Sequence, residues 1–254
     1  MTHASRSVWP AVFCLLIFGP VNFLHAQETI TFQSTPAQTV LLELYTSEGC
    51  SSCPPADQKL SAYQADKELW IKYIPIGFHV TYWDELGWVD RWARPEFTQR
   101  QSAYVRAWRS RTLATPTFVF NGRDWRNWFA ESRELSLDER AGLLKASVSD
   151  LKEVKVTFDP LGKPEAGWEA HLSLLAFGVT SQVQAGENRG KQLKHDFVAV
   201  HLQDHPLENK GRGLEASFEI HPEDAGEAER LGLAVWVTKK DGMIPQQAAG
   251  GYLT

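Results

Sequence analysis

Two cysteines separated by two serines offer the clearest chemistry in the chain, in the run Gly49-Cys50-Ser51-Ser52-Cys53-Pro54. The apolar run at 40–45 predicts a buried strand before them, and the two prolines that follow Cys53 predict the start of a helix. Unpaired N–H groups and the helix dipole stabilise an anion at a helix N-terminus, which favours the thiolate of Cys50. A thiolate attacks disulfides, and a second thiol three positions later can close on the first. We therefore predict that Cys50 is the nucleophile and Cys53 the resolving thiol.

The first 26 residues have the pattern of a secretory signal peptide. An apolar run at 8–24 follows a positively charged start, and the small residue Ala26 marks a cleavage position. An uncleaved membrane anchor is the alternative, although the run is short and interrupted by prolines. Cleavage after Ala26 would remove Cys14 and leave Cys50 and Cys53, which could pair only with each other within the chain. This predicts a periplasmic or secreted protein, in a compartment that permits disulfides.

Composition indicates an ordinary globular protein. Hydrophobic residues make up 43% of the chain and charged residues 22%, and the formal net charge is −5. Mild acidity gives no support to nucleic-acid binding, and no second apolar stretch is long enough to span a membrane after signal cleavage. The length suggests two domains, which we place at 27–150 and 151–254.

The segment after the cysteines predicts a helix and then a second strand. Residues 56–67 have helical composition, and residues 70–80 are rich in core-type side chains. A strand, a helix and a strand in succession place the helix N-terminus at the carboxyl edge of a parallel sheet. His79 ends the second strand and could lie near Cys50, where an imidazolium would lower the thiol pKa. The alternative is a histidine whose hydrogen bonds are satisfied by its surroundings.

An insertion rich in tryptophan and arginine follows, at about 81–111. Trp83 and Trp88 could offer aromatic contacts to a substrate beside the cysteines. The alternative is that the aromatic side chains are core and the arginines cover them. This alternative is supported by three aromatic residues with the spacing of one helix face: Phe97, Tyr104 and Trp108.

A third stretch of interest is Thr115-Pro116-Thr117, which precedes a short apolar strand. Asn121-Gly122 after that strand is a strong hairpin signal. A proline is common just before a strand, since its position needs no backbone N–H to donate a hydrogen bond to the neighbouring strand. Beside the cysteine pair, however, Thr115-Pro116 is a candidate cis peptide, which could expose backbone groups that hold an extended substrate.

Together these motifs resemble the thioredoxin superfamily over about 39–148. A longer run, Tyr45-Thr46-Ser47-Glu48-Gly49-Cys50-Ser51-Ser52-Cys53-Pro54-Pro55-Ala56-Asp57 with Phe78-His79-Val80 and Leu86-Gly87-Trp88, resembles the secreted DUF1223 family of unknown function. The superfamily resemblance implies attack by Cys50, resolution by Cys53 and substrate binding at Pro116. It also implies a buried carboxylate that accepts the proton of Cys53; Glu43 lies one residue from that position. The Ser-Ser pair between the cysteines departs from thioredoxin, so the direction of the reaction does not carry over.

The fold expected from these patterns is α/β: a thioredoxin-like domain with the CxxC at a strand–helix junction, followed by a small antiparallel β-sandwich domain. Ser136-Leu137-Asp138-Glu139 fits a capping box and predicts a helix through Val148. From Val154 the period changes to two, which predicts strands at 154–158, 171–179, 197–202, 214–220 and 231–238. The segment 186–191 also resembles DUF1223 members, and is either a loop facing the first domain or a turn.

The sequence thus favours a thiol–disulfide oxidoreductase that acts on protein or small thiol substrates, with a possible redox partner protein and no cofactor. The rival hypothesis is a binding or scaffold protein in which Cys50–Cys53 is a structural disulfide. Capture of Cu(I) by the two thiolates is a third possibility, with no Met-rich or His-rich segment to support it. No metal site is predicted from the later histidines, whose spacing matches no ligand pattern: His195, His201, His205 and His221.

Overall fold

The computed structural model describes Met1 and residues 29–130, 137, 139–163, 167–211 and 213–254. Apart from Met1, the predicted signal peptide at 1–26 lies outside the described residues. Neither α-helix in the described ranges has the length and apolar character needed to cross a membrane.

Strands dominate the described part of the chain. The α-helices are α1 (Pro54–Ala62) and α2 (Pro95–Ala107), and 3-10 helices lie at Tyr63–Ala65, Thr81–Leu86 and Pro222–Ala225. The strands are β1 (Thr29–Gln33), β2 (Val40–Thr46), β3 (Tyr73–His79), β4 (Thr117–Phe120), β5 (Arg123–Asp124), β6 (Leu143–Ser149), β7 (Glu153–Asp159), β8 (Trp168–Phe177), β9 (Val179–Gln182), β10 (Gln192–His195), β11 (Val198–Ala199), β12 (Gln203–Pro206), β13 (Glu208–Asn209), β14 (Leu214–Glu219), β15 (Arg230–Lys239) and β16 (Gln247–Tyr252).

A mixed sheet of nine strands forms the centre of the molecule. Its order is β16-β15-β8-β11-β3-β2-β4-β5, and β12 pairs with the remaining length of β8. β3 pairs in parallel with both β2 and β11, whereas β4 runs antiparallel to β2. The Asn121-Gly122 turn predicted from the sequence joins β4 to β5, and both of its residues have positive φ.

Neighbouring residues of each strand point to opposite sides of the sheet, and in β2 and β3 every residue is buried, so both faces are covered there. On β8, Leu172 and Leu174 pack against a second sheet of five antiparallel strands, β1-β6-β7-β14-β13. Leu175 and Phe177 of the same strand belong to the core on the other face, which includes side chains of α1 and α2. The cysteine turn is therefore supported from beneath by a sheet without a solvent-exposed face in this region.

The predicted fold class is wrong. The described chain is mostly β, and its later strands β8, β11, β15 and β16 extend the same sheet as β2 and β3 instead of forming a separate sandwich. The physical reason is that β11 pairs in parallel with β3 and antiparallel with β8, which joins early and late parts of the chain edge to edge. The prediction rested on one local strand–helix–strand pattern, which does not reveal how distant strands pair.

The predicted position of the cysteines at a strand–helix junction is also wrong. β2 ends at Thr46 and α1 begins at Pro54, so a turn of several residues separates them. Both cysteines lie in this turn before α1, and Cys53 is the N-cap residue of the helix.

The helix predicted from the capping box to Val148 is wrong as well. Ser136 and Asp138 lie outside the described residues, and 143–149 form the strand β6. Leu144, Ala146 and Val148 are buried while the residues between them point outward, which is a period of two. The residues of β6 pair with both β1 and β7, and this pairing favours a strand although the local capping signal favours a helix.

Candidate functional site

The turn that carries the cysteines is held by its own backbone. Cys50 N–H donates to the Ser47 carbonyl and Cys53 N–H to the Cys50 carbonyl, each at 3.2 Å. Both cysteines are free thiols with 0% exposure, whereas Ser51 and Ser52 between them are exposed. The sulfur atoms thus lie directly beneath the surface at the N-terminus of α1.

The two thiols have opposite electrostatic environments. A hydrogen bond from Cys53 is the main cause that lowers the pKa of Cys50 to about 6, against the opposing effect of burial; Ser52 and Thr115 act in the same direction. The Ser52 hydroxyl lies 3.2 Å from the Cys50 sulfur. Burial and the neighbouring Cys50 raise the pKa of Cys53 well above its ordinary value. Cys50 is therefore the thiolate of the pair at neutral pH, and Cys53 keeps its proton.

The Thr115-Pro116-Thr117 segment lies beside Cys50. Its Thr115–Pro116 peptide bond is cis. The Cys50 thiol is 3.7 Å from the Thr115 carbonyl oxygen, and the Trp83 indole N–H donates to the Thr115 hydroxyl at 2.7 Å. The Thr117 hydroxyl donates to the Ala114 carbonyl at 2.6 Å, within the segment itself. The structure thus brings together the two sequence motifs that were more than 60 residues apart.

The two tryptophans proposed as substrate contacts flank the cysteine turn. A Cβ added at Gly49 would lie 3.1 Å from the Trp83 Cβ, so only glycine fits there without movement. The Trp88 indole N–H donates to Glu48 Oε2 at 2.7 Å. Both tryptophan residues are half-buried, and Trp83 reaches Thr115, which lies beside Cys50. Other aromatic side chains of the insertion are core, as the alternative interpretation expected: Trp92, Phe97 and Tyr104.

Glu43 lies on the face of β2 that is turned toward α2. Its carboxylate accepts hydrogen bonds from Arg100 Nε at 2.7 Å, Tyr104 OH at 2.6 Å and Tyr45 OH at 2.9 Å. Thr46, on the opposite face of β2, instead interacts with Asp57 of α1. The offset of one residue seen in the sequence therefore places Glu43 on the other side of the sheet from the expected carboxylate.

Asp57 is the carboxylate that the structure places beside Cys53. Asp57 N–H donates to the Cys53 carbonyl at 3.1 Å, and residues four apart at a helix start share one face. Burial raises the pKa of Asp57, while His195 and His79 act in the opposite direction. The negative charge of Asp57 in turn contributes to the raised pKa of Cys53. The spacing of four residues along a predicted helix was the available sequence signal for this residue.

His79 belongs to a buried polar cluster behind the cysteines. Its Nδ1 lies 2.7 Å from Asp90 Oδ2, and its ring meets the His195 ring edge-on at 4.9 Å between centroids. Burial lowers the pKa of His79, but Asp90 outweighs it and the net pKa is raised to about 9. This arrangement matches the alternative, a histidine whose hydrogen bond is satisfied by its surroundings, and the groups that lower the pKa of Cys50 are Cys53, Ser52 and Thr115.

The segment 186–191 from the later part of the chain closes the site. Asn188 is fully buried, and its Nδ2 donates to the carbonyl oxygens of Glu48 and Cys50, both at 2.8 Å. The Glu187 carboxylate accepts the Ser51 N–H at 2.9 Å. Of the two interpretations given to this segment, the loop that faces the cysteines is the one observed. Sequence reasoning could not assign these contacts, since they cross about 138 residues.

The four later histidines do not form one cluster. His195 lies in the buried group behind the cysteines, whereas His205 stacks on Phe218 at 4.5 Å between ring centroids. Within the ranges that the structure describes, no group of three or more His, Cys, Asp or Glu side chains has an arrangement that could hold a metal ion.

Comparison with known proteins identifies relatives of this chain. A family model described as "Protein of unknown function (DUF1223)" matches residues 41–238. A structural-genomics target protein from Agrobacterium tumefaciens is similar in fold, with 23% identity, a TM-score of 0.58, and coverage of 86% of this chain and 95% of that one. HBP35 of Porphyromonas gingivalis is also similar in fold, with 14% identity, a TM-score of 0.56, and coverage of 87% and 76%. None of the curated proteins compared with the chain matches it.

Proposed function

The chain belongs to the DUF1223 family, whose function is unknown, and we propose that it is a thiol–disulfide oxidoreductase that works through Cys50 and Cys53. The observation that carries this proposal is the contrast between the two thiols. The pKa of Cys50 is lowered to about 6, with a hydrogen bond from Cys53 as the main cause. Such a thiol is largely ionised at neutral pH and is a competent nucleophile toward disulfides.

The reaction follows from the roles of the two sulfur atoms. The Cys50 thiolate attacks one sulfur of a substrate disulfide, forms a mixed disulfide and releases the other substrate sulfur as a thiolate. Cys53 then loses its proton, attacks the Cys50 sulfur and releases the second substrate thiolate. The Cys50–Cys53 disulfide has formed, and the substrate has gained two electrons. Each step is reversible, so the same residues serve oxidation or reduction.

Asp57 is the group that accepts the proton of Cys53 in this scheme. It is buried on the same face of α1, four residues after Cys53. Burial raises its pKa, which makes it a better proton acceptor than an ordinary aspartate. Glu43 does not take this role, because its oxygen atoms accept hydrogen bonds from Arg100, Tyr45 and Tyr104.

Substrate contacts in this proposal come from the surface around Cys50. Thr115, Pro116 and Thr117 form one side, and the half-buried rings of Trp83 and Trp88 form another. The substrate is a protein or a small thiol or disulfide, and a redox partner protein would restore the starting state. Periplasmic or secreted location belongs to the same proposal, since it rests on the leader pattern and on the cysteine chemistry.

The proposal predicts that Cys53→Ser traps the first half of the reaction. Incubated with glutathione disulfide, this variant should accumulate a mixed disulfide on Cys50, because the serine hydroxyl cannot displace the bound thiol. Mass spectrometry before and after reduction measures the adduct. The wild-type protein should end as the internal disulfide, and Cys50→Ser should carry no adduct. Complete absence of an adduct on the Cys53→Ser protein would refute the proposal.

One observation favours the rival function, a binding protein with a structural disulfide. Both cysteines are 0% exposed, and a buried disulfide resists exchange. This rival predicts that native Cys53→Ser protein forms no glutathione adduct and that the adduct appears only after unfolding. The trapping experiment, run with and without denaturant, therefore separates the two functions.

A further inference from the structure

His195 stands between two buried carboxylates. It ends β10, and its Nδ1 lies 3.8 Å from Asp57 Oδ2 while its Nε2 lies 3.6 Å from Glu48 Oε1. None of these four atoms has a hydrogen-bond partner within 3.5 Å. His195 is 2% exposed, Asp57 6% and Glu48 0%, so solvent does not satisfy them.

Such a row of unpartnered buried atoms is costly. An unsatisfied buried polar group is destabilising, and most native structures avoid it. The two carboxylates face different nitrogen atoms of the His195 ring, so the three side chains do not converge on one metal ion. The arrangement suits an imidazole that takes a proton at one nitrogen while a carboxylate stabilises the charge at the other. A movement of a few tenths of an ångström on either side would bring these atoms into hydrogen-bond distance.

The remaining charged groups around His195 are those of the same cluster. The His79 ring lies edge-on to it, and Asp90 holds His79 through its Nδ1. Glu48 is also held by Trp88 through Oε2, which leaves Oε1 toward His195. His79 also interacts electrostatically with Asp57 and Glu48, but His195 presents one ring nitrogen to each of these carboxylates within 4 Å.

We propose that His195 is a positioning residue for Asp57. It accepts from Asp57 the proton that Asp57 has taken from Cys53. This inference rests on the proposed function. In the second step the Cys53 thiol gives its proton to Asp57, and its sulfur bonds to the Cys50 sulfur as the substrate thiolate leaves. Asp57 passes the proton to His195 Nδ1, and Glu48 stabilises the imidazolium at Nε2. Asp57 is then again a carboxylate, and the electrons of the dithiol have passed to the substrate disulfide.

A single-turnover reaction with an aromatic disulfide tests this role. The first release of aryl thiolate reports attack by Cys50, and the second reports attack by Cys53. His195→Gln should slow the second release by about tenfold or more, while the first release stays within about twofold. Asp57→Asn should slow the same phase at least as much.

His201→Gln is the matched control, because His201 also has two unpartnered ring nitrogens and is placed in no part of this site. A second release that keeps the wild-type rate in His195→Gln would overturn the inference. So would equal slowing of both releases, which indicates a general structural role. If thermal unfolding shows that His195→Gln does not fold, Glu48→Gln decides in its place by the same criteria. Absence of the first release in the wild-type protein would instead defeat the proposed function.

Discussion

Replacing Arg100 by leucine is expected to lower the free energy of unfolding by about 3–5 kcal/mol, because it leaves the buried Glu43 charge without its partner. The Arg100 Nε to Glu43 Oε2 distance is 2.7 Å, and Glu43 is 0% exposed. The guanidinium also lies over the rings of Tyr104 and Trp236, at 5.3 and 5.0 Å from their centroids. Arg100 therefore links α2 to β2 and to β15, a late strand of the shared sheet.

Urea unfolding monitored by tryptophan fluorescence measures this change. Arg106→Leu, an exposed position on the same helix, is the matched control and should change stability by no more than about 0.5 kcal/mol. The double variant Glu43→Leu/Arg100→Leu should recover much of the loss, since a buried pair can often be replaced by apolar residues. Equal stability of Arg100→Leu and Arg106→Leu would contradict this account of the buried pair.

Cys53→Ala is expected to move the pKa of Cys50 from about 6 toward its ordinary value of about 8.5, because it removes the main hydrogen bond to the thiolate. At pH 6 a full shift to about 8.5 would lower the thiolate fraction, and with it the alkylation rate, by on the order of a hundredfold. Cys53→Ser keeps a hydroxyl donor and is the matched control, with a smaller rise of the pKa. Iodoacetamide alkylation from pH 4 to 10 measures both, and identical profiles for Ala and Ser would contradict the assigned hydrogen bond.

The same pKa has a consequence for stability. The folded-state pKa of Cys50 lies below its unfolded value, so its contribution is complete above about pH 8.5 and is lost as the pH falls through about 6. Reduced wild-type protein should therefore gain stability over Cys53→Ala as the pH rises across this window. The raised pKa of Cys53 does not change the stability below about pH 8, because Cys53 is protonated there in both the folded and the unfolded protein.

Local patterns in the sequence located most of the cysteine site. The CxxC motif, the segment around Pro116 and the Asn121-Gly122 hairpin are each short and carry their own chemistry. Alternation of apolar residues likewise found the later strands, such as β7 and β14. These features depend on neighbouring residues, so one stretch of chain is enough to predict them.

The rest depends on contacts between distant parts of the chain. The pairing of β11 with β3 determines that one sheet spans the molecule, and the predicted strand at 197–202 carries no signal for its partner. Asn188 and His195 reach the cysteine turn for the same reason, since β9 and β10 form a hairpin against α1. For Glu43, a shift of one residue along a strand was enough to reverse the face it occupies.

The redox equilibrium of Cys50 and Cys53 tests the central claim most directly. Protein lacking residues 1–26 is equilibrated in defined glutathione buffers, and the state of each cysteine is read by differential alkylation and mass spectrometry. The account predicts a reduction potential between about −120 and −270 mV, with exchange within seconds. A potential below about −300 mV, with slow exchange, would contradict it and make the pair a structural disulfide.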